Sequence, residues 1–315
     1  MAKQGGMGFR WIVGGFDISG DISALDNIHG GPALGDFTDI TQSARERKGL
    51  LRDGGMAATA FMDAANAHPV LSALPTADVE MMALVPPLVI GSPAACLNAK
   101  QIGYDPSRPA DGSLTLKTEG QGSGFGLEWG LALTAGVRTD TTATNGAALD
   151  GGNGFATPAV PSSGTPVTST SPLPATVVVS GGTVSNVVVN GVSVGTGDGS
   201  YTVPAGQAIT LTYSAAPTWA WTLQTAFGAQ AYLQVTAFAG TSVTVAVQDS
   251  ADNSSFAAVT GLTFTAVTAA PNTQRLATAN TATLRRYVRV ATTGTFTSAS
   301  FAVMLNRNPV AGVSF

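Results

Sequence analysis

The residues best suited to chemistry in this chain are few and scattered. His29 and His68 are its two histidines, and neither has a second ligand or a partner at the spacing that metal binding or proton transfer needs. Both read as structural, with His68 beside Pro69 at the start of a short helix. Gly120-Gln121-Gly122-Ser123-Gly124-Phe125-Gly126 is as glycine-dense as a phosphate cradle. It matches neither GxxxxGK[ST] nor GxGxxG, and no helical pattern follows, so close strand packing is the simpler meaning. Asp249-Ser250-Ala251-Asp252-Asn253 offers oxygens to Ca²⁺ but lacks the Gly and Glu of an EF-hand loop, which leaves a polar hairpin turn. Glu119 and Glu128 are carboxylates of the kind a glycosidase pairs, with nothing in the sequence to bring them together. Trp219 and Trp221 share one face of a strand, where they either stack on a sugar at the surface or fill a small core. No GxSxG is present. These readings point to a chain with no catalytic residues, no metal and no cofactor.

Composition points the same way. Of 315 residues, 44% are hydrophobic and only 11% charged, against about 25% charged in ordinary soluble domains. Such a surface is either neutral and rich in Ser, Thr and Gly, or hidden in partners. A net charge of −4 excludes a general nucleic-acid binder. Residues 1–150 hold 10 basic and 16 acidic side chains, residues 151–225 hold only Asp198, and residues 226–315 hold five Arg and two Asp. Cys96 is the only cysteine, so no intrachain disulfide forms. Neither a signal peptide nor a bilayer-spanning run is expected, since the apolar stretch around Met81–Gly91 is short and broken by Pro86-Pro87.

The elements that must carry these residues are mainly strands. Phe227–Val247 alternates in two runs, Leu233/Val235/Ala237 and Val243/Val245/Val247, and Ala239-Gly240-Thr241 between them predicts a tight hairpin turn. Phe9–Val13, Phe16–Ile22, Met56–Met62, Val79–Val85 and Leu131–Val137 read as strands, and Asp63–Leu74 as a short helix. Ile40–Leu50 is polar enough for a helical turn or two, with Arg52-Asp53-Gly54-Gly55 as a turn signal. Ala94–Tyr104 and Ser113–Glu119 predict a long hairpin whose tip, Asp105–Gly112, projects as a contact arm carrying Asp105, Arg108 and Asp111. Residues 150–174 have a linker's composition. After them come short strands at 176–179, 187–189, 199–203 and 208–213, with Asn190-Gly191 as a hairpin turn. From 227 onward the pattern is unbroken β, including Leu284–Val290 and Ser300–Leu305. The whole predicts a mainly β chain of sandwich or barrel type with one short helix and an inserted small β-sandwich.

Several stretches resemble the major tail tube proteins of long-tailed phages, especially those infecting actinobacteria. They include FDISGDISAL (16–25), GLLRDGGMAATAFMD (49–63), HPVLSALPTAD (68–78), QIGYDPSRPADGSL (101–114), GLEWGLALTAGVRTDT (126–141), AYLQVTAFAGTSVTVAVQDSADNSSFAAVTG (231–261) and RRYVRV (285–290). The likeness covers nearly all of 10–150 and 226–308 and carries no active residue. It implies a β-sandwich subunit forming homohexameric rings stacked into a tube. The tape-measure protein would lie inside, tail terminator and distal tail proteins at the ends, and DNA would pass through without specific binding. Assembly would occur in the host cytoplasm, with no membrane involved. On this view 1–150 is the first part of the tube core, 151–224 a linker plus a displayed immunoglobulin-like or similar domain, and 225–315 the second part, its independence as a fold left open. Residues 1–150 are expected to line most of the channel. Asp105, Arg108 and Asp111 are candidates for ring-to-ring contact. The alternative is a carbohydrate-binding adhesin or receptor-binding virion protein, with Trp219 and Trp221 as its binding aromatics.

Overall fold

Two strands, Ala229–Ser250 and Tyr287–Arg307, pair antiparallel along almost their whole length and organise the fold. The computed structural model describes residues 7–151, 157–170, 174–223 and 226–308, which are mainly antiparallel β-structure. The turn predicted at Ala239-Gly240-Thr241 is not a turn, because the chain runs straight through it as strand. Register instead slips on either side of Gly240, and the paired strand has its own glycine, Gly294, opposite Val243. Gly240 has φ 148° and Gly294 φ 123°, and a Cβ on either would run into the backbone of the other strand, at Phe296 or at Ser242. Glycine here lets two backbones approach and the ribbon turn a corner. Ala231, Leu233 and Val235 before the corner then share one core with Val243, Val245 and Val247 after it, together with Leu262, Phe264, Phe301 and Val303. Ala237, expected inward beside Val235, is exposed because a bulge intervenes.

A second core lies beneath the N-terminal strands. Arg10–Val13, Val79–Leu84, Pro93–Ser107 and Glu128–Ala132 form consecutive neighbours in a sheet that continues into Tyr287–Arg307 through Ala132 and Met304. Alternation gives this sheet two apolar faces. Trp11, Val13, Met81, Ala83 and Leu97 pack on one side. Ile12, Met82, Leu84 and Cys96 on the other meet Tyr232, Ala302 and Met304. Each fully buried large side chain stabilises by about 1.5–3 kcal/mol. The early and late parts of the chain are therefore held together by a common core.

The largest departure from expectation is at 22–61. Ile22–Asp36 and Arg47–Phe61 are two 15-residue strands of one hairpin, where a helical turn and a loop at Arg52–Gly55 were predicted. Gly54 is buried within the second strand, 2.7 Å (as an ideal Cβ) from the Leu127 side chain. That glycine marks a close approach and not a reversal. The helix, Ala67–Leu71, is shorter than 63–74; it buries Ala67 and Leu71 and leaves Ala65 and Leu74 exposed. The contact hairpin exists as Pro93–Ser107 and Thr115–Gly122, but its tip is 108–114, since Asp105 and Pro106 pair with Lys117 and Leu116.

Residues 157–170, predicted as linker, belong to the inserted unit. Pro166–Thr168 pairs with Ala208–Thr210, Val160 and Val167 pack on its core, and Tyr213 Oη donates to the Pro161 carbonyl at 2.7 Å. The rest of that stretch, 152–156 and 171–173, lies outside the described residues. Seven strands form sheets of four and three around Val177, Val187, Ile209, Leu211 and Val203. Lettered A–G in order, the sheets run A-F-C-D and E-B-G. The immunoglobulin constant arrangement is ABED over CFG, so this is a sandwich with a different strand order. Asn190 and Gly191, at φ 50° and 78°, make the predicted hairpin turn.

Candidate assembly surface

The chemical candidates dissolve into structural roles. Glu128 is buried and paired with Arg275, whose Nη2 and Nε donate to its carboxylate at 2.8 and 3.2 Å. Glu119 lies on a different strand, between Ala57 and Gly103, and faces away from the core. In the Asp249–Asn253 run both carboxylates are engaged: Asp249 accepts from Arg285 Nη2 at 2.6 Å, and Asp252 accepts the backbone N–H groups of Ser254 and Ser255. Those N–H groups and the Ser250 hydroxyl hold the Asp252 carboxyl well below its usual range. No group of three or more metal-ligating side chains occurs among the described residues. His68 Nδ1 meets the Tyr104 hydroxyl, and His29 Nδ1 lies 3.0 Å from Asn27 Nδ2. Trp219 and Trp221 are buried at right angles, ring centres 5.3 Å apart, and Trp219 Nε1 donates to the Pro158 carbonyl. They fill the core and present no open ring face to a sugar.

What remains is a surface. Ile22–Asp36, Arg47–Phe61, Thr115–Gly122 and residues 99–107 form four consecutive antiparallel strands. One face buries Met56, Ala58, Ala60 and Leu116. Residues aligned across the strands share a face, so the register also fixes the opposite one. The rows His29–Gly55–Gln121–Lys100, Asn27–Ala57–Glu119–Gly103 and Ala24–Thr59–Lys117–Asp105 all point away from the core. Asp26 and Asp53 join them, accepting from Thr59 Oγ1 and Gln121 Nε2. This face is polar and holds more carboxylates than cations. Among the described residues both ends of the four-stranded set are open: Ile22–Asp36 pairs only with Arg47–Phe61, and beyond Ala99 the strand Pro93–Ser107 has no strand on its second side.

No protein family matches the chain, and no curated protein matches its sequence. Among solved structures it is similar to the SPP1 Dit (gp 19.1) protein, described as a paradigm of the hub adsorption apparatus in phages infecting Gram-positive bacteria. The TM-score is 0.28 and the identity 10%, over 95% of this chain and 99% of that one.

The hairpin outruns its neighbours. Pairing with Thr115–Gly122 stops at Gly55 and Gln121, and the two strands continue alone to Asp36 and Arg47. Leu34, Phe37, Ile40, Leu50 and Leu51 are all exposed on this distal half. A two-stranded ribbon is marginal in water without a covering surface, and five large apolar side chains exposed on one are the kind of patch that marks interaction sites. At the other end of the same strands lie the 108–114 turn and the exposed Asp105, Arg108 and Asp111. The Ser113 N–H and hydroxyl donate to Asp111 at 3.0 and 2.8 Å, which holds its carboxyl below the usual range.

Behind this surface, buried charges tie the two parts of the core. Arg275 stacks on Phe125 at 3.6 Å and donates to Tyr232 Oη as well as Glu128. Burial pushes the nearby Glu80 carboxyl up to about 8 against the opposing pull of Arg275, and its Oε2 has no hydrogen-bond partner. Burial also raises the Cys96 thiol. The inserted unit leaves the core at Leu149–Asp150, paired with Val288 and Tyr287, and the chain returns at Ala226–Phe227, paired with Leu284 and Thr283. Asp150 accepts from Arg286 at 2.7 and 2.8 Å at the point of exit. Arg275, Glu80 and Tyr232 were not singled out in the sequence. The concentration of Arg after 275 was the available signal.

Proposed function

We propose that this chain is a self-assembling structural subunit of a phage tail tube, closing into rings through the two open ends of its four-stranded sheet. The observation that supports this most is the pair of unpaired edges, on Ile22–Asp36 and on residues 100–107. The set has an even number of alternating strands, so its two outer strands run in opposite directions. The first strand of one copy can then add to the last of the next as another antiparallel pair, and repetition closes a cylinder and removes the edges. The ring would hold six copies, as the sequence resemblance to tail tube proteins implies. The polar face would line the channel, its excess of carboxylates (Asp26, Asp53, Asp105 and Glu119 against Lys100 and Lys117) keeping phosphates from adhering as DNA passes. Tape-measure, terminator and distal tail proteins are the partners this reading entails. Asp105, Arg108 and Asp111 would meet the adjacent ring, and the seven-stranded unit would be displayed outside.

Hydrogen exchange at two protein concentrations tests the closure. Amides on the outer edge of 22–36 and in 100–107 should exchange fast in dilute subunits and become protected together at high concentration. Assembly that leaves both edges unprotected contradicts the reading.

A further inference from the structure

The sheet that runs from Arg10–Val13 through Val79–Leu84, Pro93–Ser107 and Glu128–Ala132 into the long ribbon curls until its two ends face each other. Its far end is Asn272–Ala277, paired only with Ala229–Ser250. Among the described residues no strand pairing joins that strand to Arg10–Val13, Phe16–Asp17 or Val79–Leu84, so the sheet meets itself along a seam without a backbone ladder. Side chains cross the seam instead. The Gly15 N–H donates to Gln234 Oε1 at 2.8 Å, and Gln234 Nε2 donates to the Glu80 carbonyl at 3.0 Å. Arg275 reaches across to Glu128. The fit is close: a Cβ on Gly15 would lie 2.8 Å from the Pro271 side chain and from the Val235 carbonyl.

Charge inside this seam does not balance. Glu80 lies two residues before Met82 and shares its inward face. Its Oε2 is buried without a hydrogen-bond partner. Glu128, Cys96 and Tyr232 face the same space, and Arg275 is the cation that acts on all of them. On the flanking strands Arg10 and Lys100 are engaged at the surface by Asp17 and Asp78. One guanidinium therefore stands against two carboxyl groups, and it is already spent on Glu128.

We infer that the seam is a latch worked by a proton: it stays shut while Glu80 is neutral, and loss of that proton favours parting at Gly15 and Gln234, which lets water reach Cys96. An ionised Glu80 in the closed seam would be a second buried carboxylate without a counter-charge, whereas the open seam hydrates it. The sign follows from the two states. Closed, Glu80 keeps its proton up to about pH 8; open, it gives the proton up near its ordinary value. Opening thus becomes about tenfold easier per pH unit between those limits and levels off above them. The latch belongs to the single subunit and does not depend on the tube reading.

Cys96 is the chain's only cysteine and is fully buried, so its alkylation reports the opening. The test treats dilute full-length protein with iodoacetamide from pH 6 to 9 and divides each rate by that of the denatured chain at the same pH, which removes the thiolate's own rise. The ratio should climb about tenfold per pH unit up to 8 and then flatten. In Glu80→Gln it should stay low and flat throughout. A flat ratio in the unaltered chain, or the same climb in Glu80→Gln, overturns the latch. Low urea separates a local opening from loss of the whole fold. The ratio should hardly change with urea, and a rise as steep as that of global unfolding overturns the latch in favour of whole-fold opening. Gln234→Ala should raise the ratio at least tenfold at pH 6, and no rise there overturns the seam as the place of opening.

Discussion

The inserted unit and the 22–61 hairpin are both antiparallel β-structure, yet they solve the problem of their own surfaces in opposite ways. The unit closes two sheets on a core of Val177, Val187, Ile209, Leu211 and two tryptophans, and its exposed surface carries one formal charge. The hairpin's distal half has no core and leaves Leu34, Phe37, Ile40, Leu50 and Leu51 in water. The first is finished by itself. The second leaves its apolar side chains uncovered, and the proposed assembly is what would cover them.

The strongest way to break this contrast is to remove each part in turn. Excising 32–52 and closing Gly31 to Asp53 with Asn-Gly should leave a folded subunit whose assembly is abolished, read by sedimentation. Excising 152–225 should leave assembly intact, because exit and return lie side by side on the Thr283–Val288 segment. The reverse pattern would exchange the two roles.

Next in size are the cores. Trp221→Ala should cost the inserted unit about 3–5 kcal/mol, melting it in a separate early transition while the rest and its assembly persist. Gly240→Val forces a side chain into the Phe296 backbone and should cost the ribbon core about 3 kcal/mol or more, measured by denaturant unfolding.

A smaller effect sharpens the picture of the joint between the core's two parts. Glu80 keeps its proton in the fold up to about pH 8 because burial disfavours the anion, whereas in the unfolded chain it ionises near its ordinary value. Its contribution is therefore fully present below that ordinary value and is lost as pH rises towards 8, at about 1.4 kcal/mol per pH unit. Glu80→Gln should flatten that slope and raise stability at neutral pH. An unchanged slope would show that Glu80 is not the group responsible. The smallest expected change is from Leu51→Ser: within about 0.5 kcal/mol in the isolated subunit, but with a higher concentration needed for assembly.

How far these parts could be read from the chain follows the same division. The inserted unit was legible because its signals are local: Asn190-Gly191 sets a two-residue turn, and Ile209/Leu211/Tyr213 alternate without interruption. The hairpin was not. Gly30-Gly31-Pro32 and Asp53-Gly54-Gly55 carry the composition of turns, and three register slips break the period of two that would have announced strands. Their strand conformation is imposed by pairing across the hairpin and by Leu127 pressing on Gly54. Gly240 misled for the same reason, since a corner and a turn ask for the same residue. The exposure of Asp105, Arg108 and Asp111 was legible because prolines and charge mark a projecting loop whatever its register, although Asp105 and Pro106 proved to be strand. The ion pairs joining the parts of the core span 136 and 147 residues, a separation no local pattern encodes.

Tube formation requires that copies complete one another's sheets. Electron microscopy of the purified full-length chain, with sedimentation across a hundredfold range of concentration, addresses that directly. Rings that stack into hollow tubes, in equilibrium with a folded subunit on dilution, are the predicted result. A subunit that stays monomeric at the highest concentration, with the distal hairpin ordered and its apolar side chains still in water, would contradict it.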